Sequence, residues 1–450
     1  MKIAILGAGE SGVGAALLAK AKGFEVFVSD KGPISDKYKA ILQNNRISFE
    51  ENEHTESAIL SADEIIKSPG IPNKADLILK LISLKKPILS EIEFAARYTN
   101  AKIIAITGSN GKTTTTLLTY HLLKTAGKKV GLGGNIGESF AKQVIDDEFD
   151  YFVLELSSFQ LDNMYDFRAD TSILLNITPD HLDRYNYDFQ LYTNSKFRIL
   201  QNMRQSDTFI CFADNEPIAN YLTTNNLIPN TQIVSLTKPQ KEGGYFDGKS
   251  MIFDGTWGNF SIETTELPLK GSHNAINMMS AILAAKSMNV AIEYILQGLK
   301  TFNNAPHRLE KIAEINGVEY VNDSKATNVD SVFYALGSFE KPIILIIGGV
   351  DKGNDYSQIE ALVAQKVKAL ICMGVDNHKL LDYFTNKIPI IMDTHSLAEA
   401  LNMANAMATS GDVVLLSPAC ASFDLFKNYE DRGTQFRESV LAINALETPQ

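Results

Sequence analysis

One segment of the sequence has the residue types and spacing needed to hold a chain of phosphates. Gly108-Ser109-Asn110-Gly111-Lys112-Thr113-Thr114 follows an apolar run and precedes a segment whose apolar residues have helical spacing. Glycines at such a turn let successive backbone N–H groups face phosphate oxygens, while the lysine suits the β/γ-phosphates and the next threonine suits Mg²⁺. Ile106 stands where the usual phosphate loop has its first glycine. The segment predicts ATP binding.

A second glycine-rich turn, Gly7-Ala8-Gly9-Glu10-Ser11-Gly12, follows the first apolar run, and Asp30 stands at the end of the next one. The glycines would let the backbone approach a diphosphate at a helix N-terminus, and the carboxylate would hold a ribose hydroxyl. Three interpretations are open on these residues alone. They are the dinucleotide site of a dehydrogenase, a site for another nucleotide or nucleotide sugar, and a tight turn without a ligand.

Charged residues follow two further apolar runs. Glu155 lies in the run Tyr151–Leu156, where a parallel strand beside the phosphate loop would place a second magnesium-directing acid. Asp180-His181-Leu182-Asp183-Arg184 follows Ser172–Asn176 and suits phosphate and metal contacts, or an exposed salt-bridged turn. Lys196 lies in a predicted helix, where nothing local distinguishes it from a solvated lysine.

Polar residues in the last part of the chain have the types expected around a nucleotide. Asn274 begins a long apolar helix and suits either an adenine edge or a helix cap. Arg308 suits a transferring phosphoryl group, and Asp323, after the run Val318–Val321, suits a ribose. Small residues in Ser417–Asp424 would open a crevice after another strand. Purely structural roles are equally compatible with each of these residues.

The elements that must position these residues are short apolar runs that alternate with segments of helical spacing. Runs that are apolar on both faces are typical of parallel strands covered by helices, so the predicted fold class is α/β. Small hairpins are predicted over Glu242–Phe260. The predicted strands include Lys2–Leu6, Phe24–Val28, Lys102–Ile106, Tyr151–Leu156, Ser172–Asn176, Ile343–Ile347, Ala369–Cys372 and Val413–Leu416. The predicted helices include Gly14–Lys22, Thr113–Ala126 and Ser396–Thr409.

We predict three domains, each a mainly parallel sheet flanked by helices. Residues 1–93 form a Rossmann-like domain, 94–301 a central domain like the P-loop ATPases, and 302–450 a second Rossmann-like domain. The first two each open with a strand, a glycine turn and a helix. The third follows Asn303-Asn304-Ala305-Pro306, because the residue before a proline disfavours the helical conformation.

Composition and charge exclude several classes of protein. The 450 residues carry 42 Lys+Arg against 53 Asp+Glu, a formal charge of −11, which disfavours a nucleic-acid partner. Three dispersed cysteines are too few for a disulfide framework or a thiolate zinc site. No apolar run approaches the roughly 18 residues that a membrane span needs. We expect a cytoplasmic monomer without a membrane span.

Taken together and in order, seven motifs resemble those of the Mur ligases of peptidoglycan synthesis. Within that family the set is most similar to the members that add D-glutamate. The resemblance implies an ATP-dependent ligase that joins D-glutamate to UDP-N-acetylmuramoyl-L-alanine through an acyl phosphate, in cytoplasmic peptidoglycan precursor synthesis. The motifs span nearly the whole chain, at residues 108–114, 155–161, 180–185, 273–277, 307–308, 322–328 and 417–424.

The resemblance also implies a role for particular residues. The UDP substrate would contact Ser11, Gly12, Asp30, Ser68, Gly70 and Asn135. ATP would contact Gly108, Ser109, Asn110, Gly111, Lys112, Thr113, Thr114, Asn274, Arg308 and Asp323. D-Glutamate would contact Thr327, Lys352, Ser422, Phe423 and Tyr429. Two Mg²⁺ sites, which Mn²⁺ could also fill, would use Thr113 with Glu155, and His181 with a carbamylated Lys196. The catalytic group would be Lys112, Glu155, His181 and Lys196.

Other functions account for fewer of these motifs. A nicotinamide dehydrogenase would rest on Gly7–Gly12 and leave Gly108–Thr114 unexplained. A non-catalytic nucleotide-binding switch would explain the phosphate loop but not Glu155, His181 and the last motifs together. Among ligases, the alternatives are a sister Mur ligase that adds another amino acid and a folylpolyglutamate-type ligase.

Overall fold

The computed structural model describes residues 1–447, and this part of the chain divides into two compact units. The first unit comprises Met1–Pro268 and Asn274–Phe302, and the second comprises Leu269–His273 and the chain from Asn303 onward. The last three residues of the predicted third domain, 448–450, lie outside the described residues. The domain boundaries after residues 93 and 301 stay predictions.

The first unit begins with a parallel sheet of five strands in the order β3-β2-β1-β4-β5. Successive residues of its central strand alternate between two cores, Ile3 and Ile5 on one face and Ala4 and Leu6 on the other. Helices cover both faces, which explains the unbroken apolar run in the sequence. The strands are β1 Lys2–Leu6, β2 Glu25–Asp30, β3 Ser48–Glu51, β4 Glu64–Lys67 and β5 Ile88–Leu89. The helices are α1 Glu10–Ala21, α2 Asp36–Asn44, α3 Glu56–Leu60, α4 Asp76–Ser83 and α5 Glu91–Ala96.

The first unit continues with a sheet of nine strands in the order β14-β13-β12-β11-β10-β9-β6-β8-β7. All neighbours are parallel except β12–β13 and β13–β14, which form hairpins in the region where the glycine-rich turns predict them. The strands are β6 Lys102–Thr107, β7 Val130–Gly134, β8 Tyr151–Glu155, β9 Thr171–Leu174, β10 Thr208–Phe212, β11 Asn230–Ser235, β12 Gly243–Phe246, β13 Ser250–Asp254 and β14 Phe260–Glu263. The helices are α6 Lys112–Thr125, α7 Phe140–Gln143, α8 Ser158–Leu161, α9 Phe189–Phe197, α10 Glu216–Thr224, α11 Ser272–Ser287 and α12 Ile292–Thr301.

The second unit contains a sheet of six strands in the order β15-β16-β20-β17-β18-β19, parallel except for β15. Ile343, Leu345 and Ile347 face one core, while Ile344 and Ile346 face the other. The strands are β15 Glu310–Ile315, β16 Val318–Asn322, β17 Ile343–Ile347, β18 Val367–Met373, β19 Ile391–Thr394 and β20 Val413–Leu416. The helices are α13 Val329–Gly337, α14 Ser357–Lys366, α15 His378–Phe384, α16 Leu397–Met407 and α17 Tyr429–Glu447.

These three sheets confirm the predicted α/β class. Because the carboxyl ends of neighbouring parallel strands meet at one edge of a sheet, each sheet gathers the polar residues that follow its strands. Among residues 1–447, no helix combines the length and the apolar character needed to cross a membrane.

Candidate functional site

The phosphate loop lies between the carboxyl end of β6 and the start of α6. Ile106 is a fully buried strand residue that pairs with Glu155, so the usual first glycine is not required at that position. Gly111 has a left-handed φ of 81°, and a Cβ there would lie 2.4 Å from Asn277 Oδ1. A larger residue at this point would have a strained backbone and would have to displace the Asn277 side chain.

Asn176, which follows β9, and Tyr192, in α9, fix the conformation of this loop. Ser109 N–H donates to Asn176 O at 3.0 Å, and Ser109 Oγ lies 2.9 Å from the hydroxyl of Tyr192. The Asn176 side chain accepts from Asn110 N at 2.8 Å and donates to Asn110 O at 3.2 Å. A loop fixed in this way needs little reorganisation to present its N–H groups to anionic oxygens.

Two lysines donate to the same carbonyl oxygen of the loop. Gly108 O lies 2.8 Å from Lys112 Nζ and 2.9 Å from Lys196 Nζ. Lys196, in α9, also donates to Thr107 Oγ1 at 3.2 Å and is only 2 % exposed. Burial and then the charge of Lys112 lower the pKa of Lys196 well below its ordinary value. The structure therefore excludes a solvated surface lysine and favours the neutral amine.

Glu155 ends β8 beside the loop and is 1 % exposed. Its Oε1 accepts from Asn135 Nδ2 at 2.8 Å, whereas Oε2 is buried and has no hydrogen-bond partner within the described chain. A buried carboxylate oxygen without a donor is costly unless a cation satisfies it. The Glu155 carboxylate therefore fits a hard divalent cation such as Mg²⁺. Thr113, the predicted second ligand, is buried at the start of α6.

Protein ligands alone do not complete a metal site in this region. Across residues 1–447, no group of three or more His, Cys, Asp and Glu side chains is placed to hold a metal ion. Mg²⁺ in nucleotide sites is commonly bound by one or two protein oxygens together with substrate phosphates and water. The arrangement around Glu155 fits that pattern better than an all-protein site.

His181 lies in the turn between β9 and α9, and its side chain is partly exposed. Its ring packs edge-on against Phe159, with the ring centroids 5.2 Å apart. The Arg184 guanidinium lies over the same Phe159 ring, 4.3 Å from its centroid. Since β9, β6 and β8 are neighbours, the sheet brings this turn, the phosphate loop and Glu155 to one edge.

The N-terminal glycine turn forms a second candidate site in the first unit. A Cβ at Gly12 would lie 1.9 Å from Gly7 O, so the start of α1 packs directly on the turn. Asp30 accepts from Ala8 N at 2.7 Å and from Gly32 N at 2.9 Å, which joins the turns after β1 and β2. A cavity of 650 Å³ opens here, with Gly7, Asp30, Ser68 and Gly70 in its wall. Ser11 lies in the first turn of α1.

The predicted nucleotide contacts Arg308 and Asp323 lie in the second unit, whereas Asn274 belongs to the first. Asp323 directly follows β16 and accepts from Ser417 Oγ at 2.9 Å and from Leu309 N at 3.2 Å. Burial raises the pKa of Asp323 to about 7. Asn274 is buried near the start of α11.

A buried arginine joins two loops of the second unit that carry predicted amino-acid contacts. Arg432, 1 % exposed, donates to Ser324 Oγ at 3.0 Å and Ser324 O at 2.9 Å, and to Cys420 O at 3.2 and 3.3 Å. Thr327 lies three residues after Ser324 in the loop that follows β16. The loop with Cys420 continues into Ser422 and Phe423.

Backbone pairing connects the remaining predicted contacts to these loops. Val350 and Ala421 exchange two backbone hydrogen bonds, of 2.8 and 3.1 Å, so the loop with Lys352 joins the loop after β20. Ser324 Oγ donates to Tyr429 O at 2.8 Å. All five predicted D-glutamate contacts therefore lie on segments connected at one edge of the sheet; Phe423 is largely exposed there.

The sequence analysis did not identify Arg432, and it assigned no role to Ser324, which lies within the motif at residues 322–328. An arginine in a helix is ordinarily solvated, so the residue type of Arg432 did not indicate that it is buried. The available signal is its spacing, since Arg432, Phe436 and Val440 recur every four residues and are all buried.

Comparison with known proteins identifies the family. The Mur ligase middle domain matches residues 106–285, the Mur ligase glutamate ligase domain matches 307–420, and the MurD N-terminal domain matches 2–77. The chain belongs to the Mur ligase family. The resemblance inferred from the seven motifs is confirmed.

Full-length relatives support the same assignment. The UDP-N-acetylmuramoylalanine–D-glutamate ligase of Cytophaga hutchinsonii is 55 % identical over 448 residues, which cover 98 % of this chain and 99 % of that protein. The protein of the same name from Porphyromonas gingivalis W83 is 53 % identical over 443 residues, covering 98 % of each chain.

Solved structures of the Mur ligase type share the fold. A pseudomurein peptide ligase type C from Methanothermus fervidus superposes with a TM-score of 0.62 at 21 % identity, covering 98 % of this chain and 99 % of that one. A UDP-N-acetylmuramate–alanine ligase from Thermotoga maritima gives a TM-score of 0.61 at 17 % identity, with the same coverage. At these identities the comparison concerns the fold alone.

Proposed function

We propose that this Mur ligase joins D-glutamate to UDP-N-acetylmuramoyl-L-alanine and converts ATP to ADP and phosphate. The observation that carries the proposal is the 55 % identity, over nearly the whole of both chains, to a protein named for that reaction. Lys112, the buried Lys196 and the buried Glu155 around the phosphate loop support an ATP-dependent step. We place the enzyme in the cytoplasm, as a monomer with no nucleic-acid partner.

In the first step, a carboxylate oxygen of the alanyl group attacks the γ-phosphorus of ATP, and the bond to the bridging oxygen of ADP breaks. We assign Lys112, whose amine donates to the loop carbonyls, and Arg308 to stabilising the charge on the transferring group. Thr113 and Glu155 would hold Mg²⁺, which would supply further charge neutralisation. The product is an acyl phosphate with a far better leaving group than the original carboxylate.

In the second step, the amine of D-glutamate attacks the acyl carbonyl, and phosphate leaves from the tetrahedral intermediate. We assign His181, whose ring is oriented by Phe159, to positioning that intermediate. The connected loops of the second unit carry the amino-acid contacts, in which Lys352 is a point charge suited to a carboxylate of D-glutamate. Thr327, Ser422, Phe423 and Tyr429 complete this set.

We also propose that Lys196 acts as a carbamate and, with His181, contributes to a second Mg²⁺ site. Carbamylation joins the neutral amine nitrogen to CO₂ and releases one proton, which leaves an anionic group whose oxygens can bind a metal. Its burial and lowered pKa support this chemistry, because only the neutral amine reacts. An oxygen anion suits a hard metal, whereas an ammonium would repel it.

The N-terminal cavity is the proposed site of the UDP group. Asp30, Ser68 and Gly70 line it, while Ser11 and Gly12 lie at the start of α1, where a diphosphate is favoured by the helix N-terminus. Asn135, the last proposed contact of the UDP substrate, donates to Glu155 beside the phosphate loop. A nicotinamide dehydrogenase remains the alternative for this cavity considered alone.

One assay separates these functions. Phosphate release from ATP is measured with UDP-N-acetylmuramoyl-L-alanine and D-glutamate, together and with either omitted. The proposed ligase requires both. A nucleotide-binding switch would hydrolyse ATP regardless of the amino acid. A sister ligase would prefer L-alanine, L-lysine or diaminopimelate. A separate fluorescence titration would detect the NAD binding expected of a dehydrogenase. Release with D-glutamate no faster than with the other amino acids would refute the proposal.

A further inference from the structure

Arg184 lies between β9 and α9 and contacts the turn at residues 68–71, which follows β4. Its Nη1 donates to Gly70 O and its Nη2 donates to Pro69 O, each at 3.3 Å. Gly70 is in the wall of the cavity proposed for the UDP group. The sequence analysis assigned the motif around Arg184 to phosphate and metal contacts or to an exposed turn. The structure shows instead that this arginine joins the cavity wall to the turn that carries His181.

The guanidinium of Arg184 also lies over an aromatic ring that contacts His181. It is 4.3 Å from the centroid of Phe159, a distance at which the face of a ring attracts a cation. The same ring meets the His181 imidazole edge to face, with the two centroids 5.2 Å apart. A continuous series of contacts therefore runs from Gly70 through Arg184 and Phe159 to His181.

The turn at residues 68–71 has further bonds that do not involve Arg184. Ile71 N donates to Ser68 O at 3.1 Å, and the buried Lys67 donates from Nζ to Ile71 O at 2.8 Å. These bonds fix the conformation of the turn from within the first sheet and its loops. Loss of the arginine should therefore change where His181 lies relative to the turn, and leave the wall of the cavity largely intact.

The separation of these two turns matters because the proposed substrate is held at both ends. Its UDP group would bind at the cavity wall, while its alanyl carboxylate would react where His181 positions the tetrahedral intermediate. Displacement of a reacting group by about 1 Å can reduce a rate about 100-fold. Binding energy from the remote UDP end raises kcat only if it helps to orient the reacting end.

We propose that Arg184 is a positioning residue that, through Phe159, fixes His181 relative to the turn at residues 68–71. A substrate anchored by its UDP group then presents its alanyl end at the correct distance from His181. The inference rests on the proposed function in that the substrate carries UDP at one end and the reacting carboxylate at the other.

Steady-state kinetics and nucleotide binding of the full chain test this role. Arg184→Ala should lower kcat with UDP-N-acetylmuramoyl-L-alanine about 10- to 100-fold, because His181 loses its fixed position. The Kd of UDP from calorimetric titration and KM for ATP should stay within about twofold, because neither site loses a contact of its own. Arg184→Lys should recover part of kcat, since it keeps a cation for the ring but lacks the planar fork.

Two further measurements distinguish positioning from a merely structural role. N-Acetylmuramoyl-L-alanine, which has no UDP group, is not anchored at the turn and can adjust to a displaced His181. Arg184→Ala should therefore use this acceptor about as well as wild type does. Phe159→Leu should lower kcat for the full substrate as Arg184→Ala does. The double variant should lose no more than the larger single loss, because both residues belong to one series of contacts.

Arg204→Ala, which removes an exposed arginine of the same unit, is the matched control and should behave like wild type. Thermal melting verifies that each variant is folded, and Phe159→Leu tests the same contacts if Arg184→Ala does not fold. An unchanged kcat in folded Arg184→Ala would overturn the inference. Weaker UDP binding with unchanged kcat, or equal losses with the two acceptors, would also overturn it. Failure of wild type to join D-glutamate to the UDP substrate would instead refute the proposed function.

Discussion

The guanidinium of Arg432 donates to both the hydroxyl and the carbonyl oxygen of Ser324, at 3.0 and 2.9 Å. Burial lowers the pKa of Arg432 to about 10, so it stays protonated at neutral pH. Its hydrogen-bond partners in the described chain are neutral oxygens of Ser324 and Cys420. The charge of Asp424 acts on Arg432 without a direct bond to it. A further anion nearby would be favoured, and the proposed amino-acid substrate carries two carboxylates.

Replacing this charge should impair use of D-glutamate specifically. Arg432→Met leaves the Ser324 and Cys420 oxygens without their donor, so the loops lose their fixed geometry as well as the charge. We expect KM for D-glutamate to rise about 10- to 100-fold, the range for losing hydrogen bonds to a charged group. KM for the UDP substrate should stay within about twofold, since its proposed contacts lie in the other unit.

Steady-state kinetics of phosphate release measure both constants, and melting curves show whether each variant is folded. Arg437→Met is the control, because Arg437 lies in the same helix but pairs with Glu310 at the surface. Arg432→Lys should recover part of the loss, since it retains the charge but not the planar group. Equal increases in KM for both substrates would contradict a role confined to the amino-acid loops.

Gly111 and Gly127 provide a matched pair for testing the phosphate loop. Both have left-handed φ, 81° and 72°, so alanine costs about 1 kcal/mol at either position. A Cβ at Gly111 would also collide with Asn277, whereas nothing lies within 4 Å at Gly127. Gly111→Ala should therefore reduce kcat/KM for ATP about 100-fold by displacing the loop, and Gly127→Ala should leave it nearly unchanged. Similar kinetics in the two variants would show that the collision is harmless.

The sequence predicted the fold best where a strand is apolar on both faces. The bounds of β1, β17 and β20 agree with the predicted runs, because burial on both sides makes these strands apolar apart from Lys2 at the start of β1. It gave no indication of β3 or β19, whose residues are mostly only half-buried or exposed at sheet edges. Such strands are stabilised by pairing with a neighbour, which local sequence does not encode.

The candidate site was predictable to the extent that it is local. Gly108–Thr114 is a continuous turn between strand and helix, so its residue types reveal it. The environment of Lys196 is not local, because its partners Thr107 and Gly108 lie 89 and 88 positions earlier in the chain. Arg432 similarly depends on Ser324, 108 positions away. Only the folded chain reveals which oxygens these two buried basic residues contact.

Lys196 gives a direct test of the carbamate. Lys196→Ala should reduce turnover at least about 100-fold, as loss of a metal-site residue typically does, and added acetate should restore part of it. Lys196→Arg should be as inactive as alanine, because a guanidinium keeps the positive charge but forms no stable carbamate. Carbon-13 NMR with labelled bicarbonate should show a carbamate signal in wild type that both variants lack. Near-normal phosphate release by Lys196→Arg would remove the carbamate from the mechanism.

Glu91 should make the stability of the first unit depend on pH. It is 4 % exposed, its Oε1 accepts from Ala141 N at 2.6 Å and Ser139 Oγ at 2.7 Å, and within the described chain its buried Oε2 has no hydrogen-bond partner. Burial raises the pKa of Glu91 to about 7, with the charge of Glu10 acting in the same direction. An unfolded glutamate has a pKa of about 4.3, so between these values the folded chain binds more protons than the unfolded chain.

The sign follows directly: stability falls as pH rises from about 4.3 to about 7, by about 3 to 4 kcal/mol in total, and then levels off. Glu91→Gln cannot ionise at this position, so its stability should lack this dependence on pH. Glu25→Gln, which changes an exposed position, should retain the dependence. Urea denaturation at intervals between pH 5 and 8.5 measures the free energy of unfolding of each protein. As pH rises, the free energy of unfolding of wild type should fall relative to that of Glu91→Gln. The reason is that above pH 7 the folded wild type must bury a carboxylate. Parallel profiles of the two proteins would show that Glu91 is ionised throughout this range.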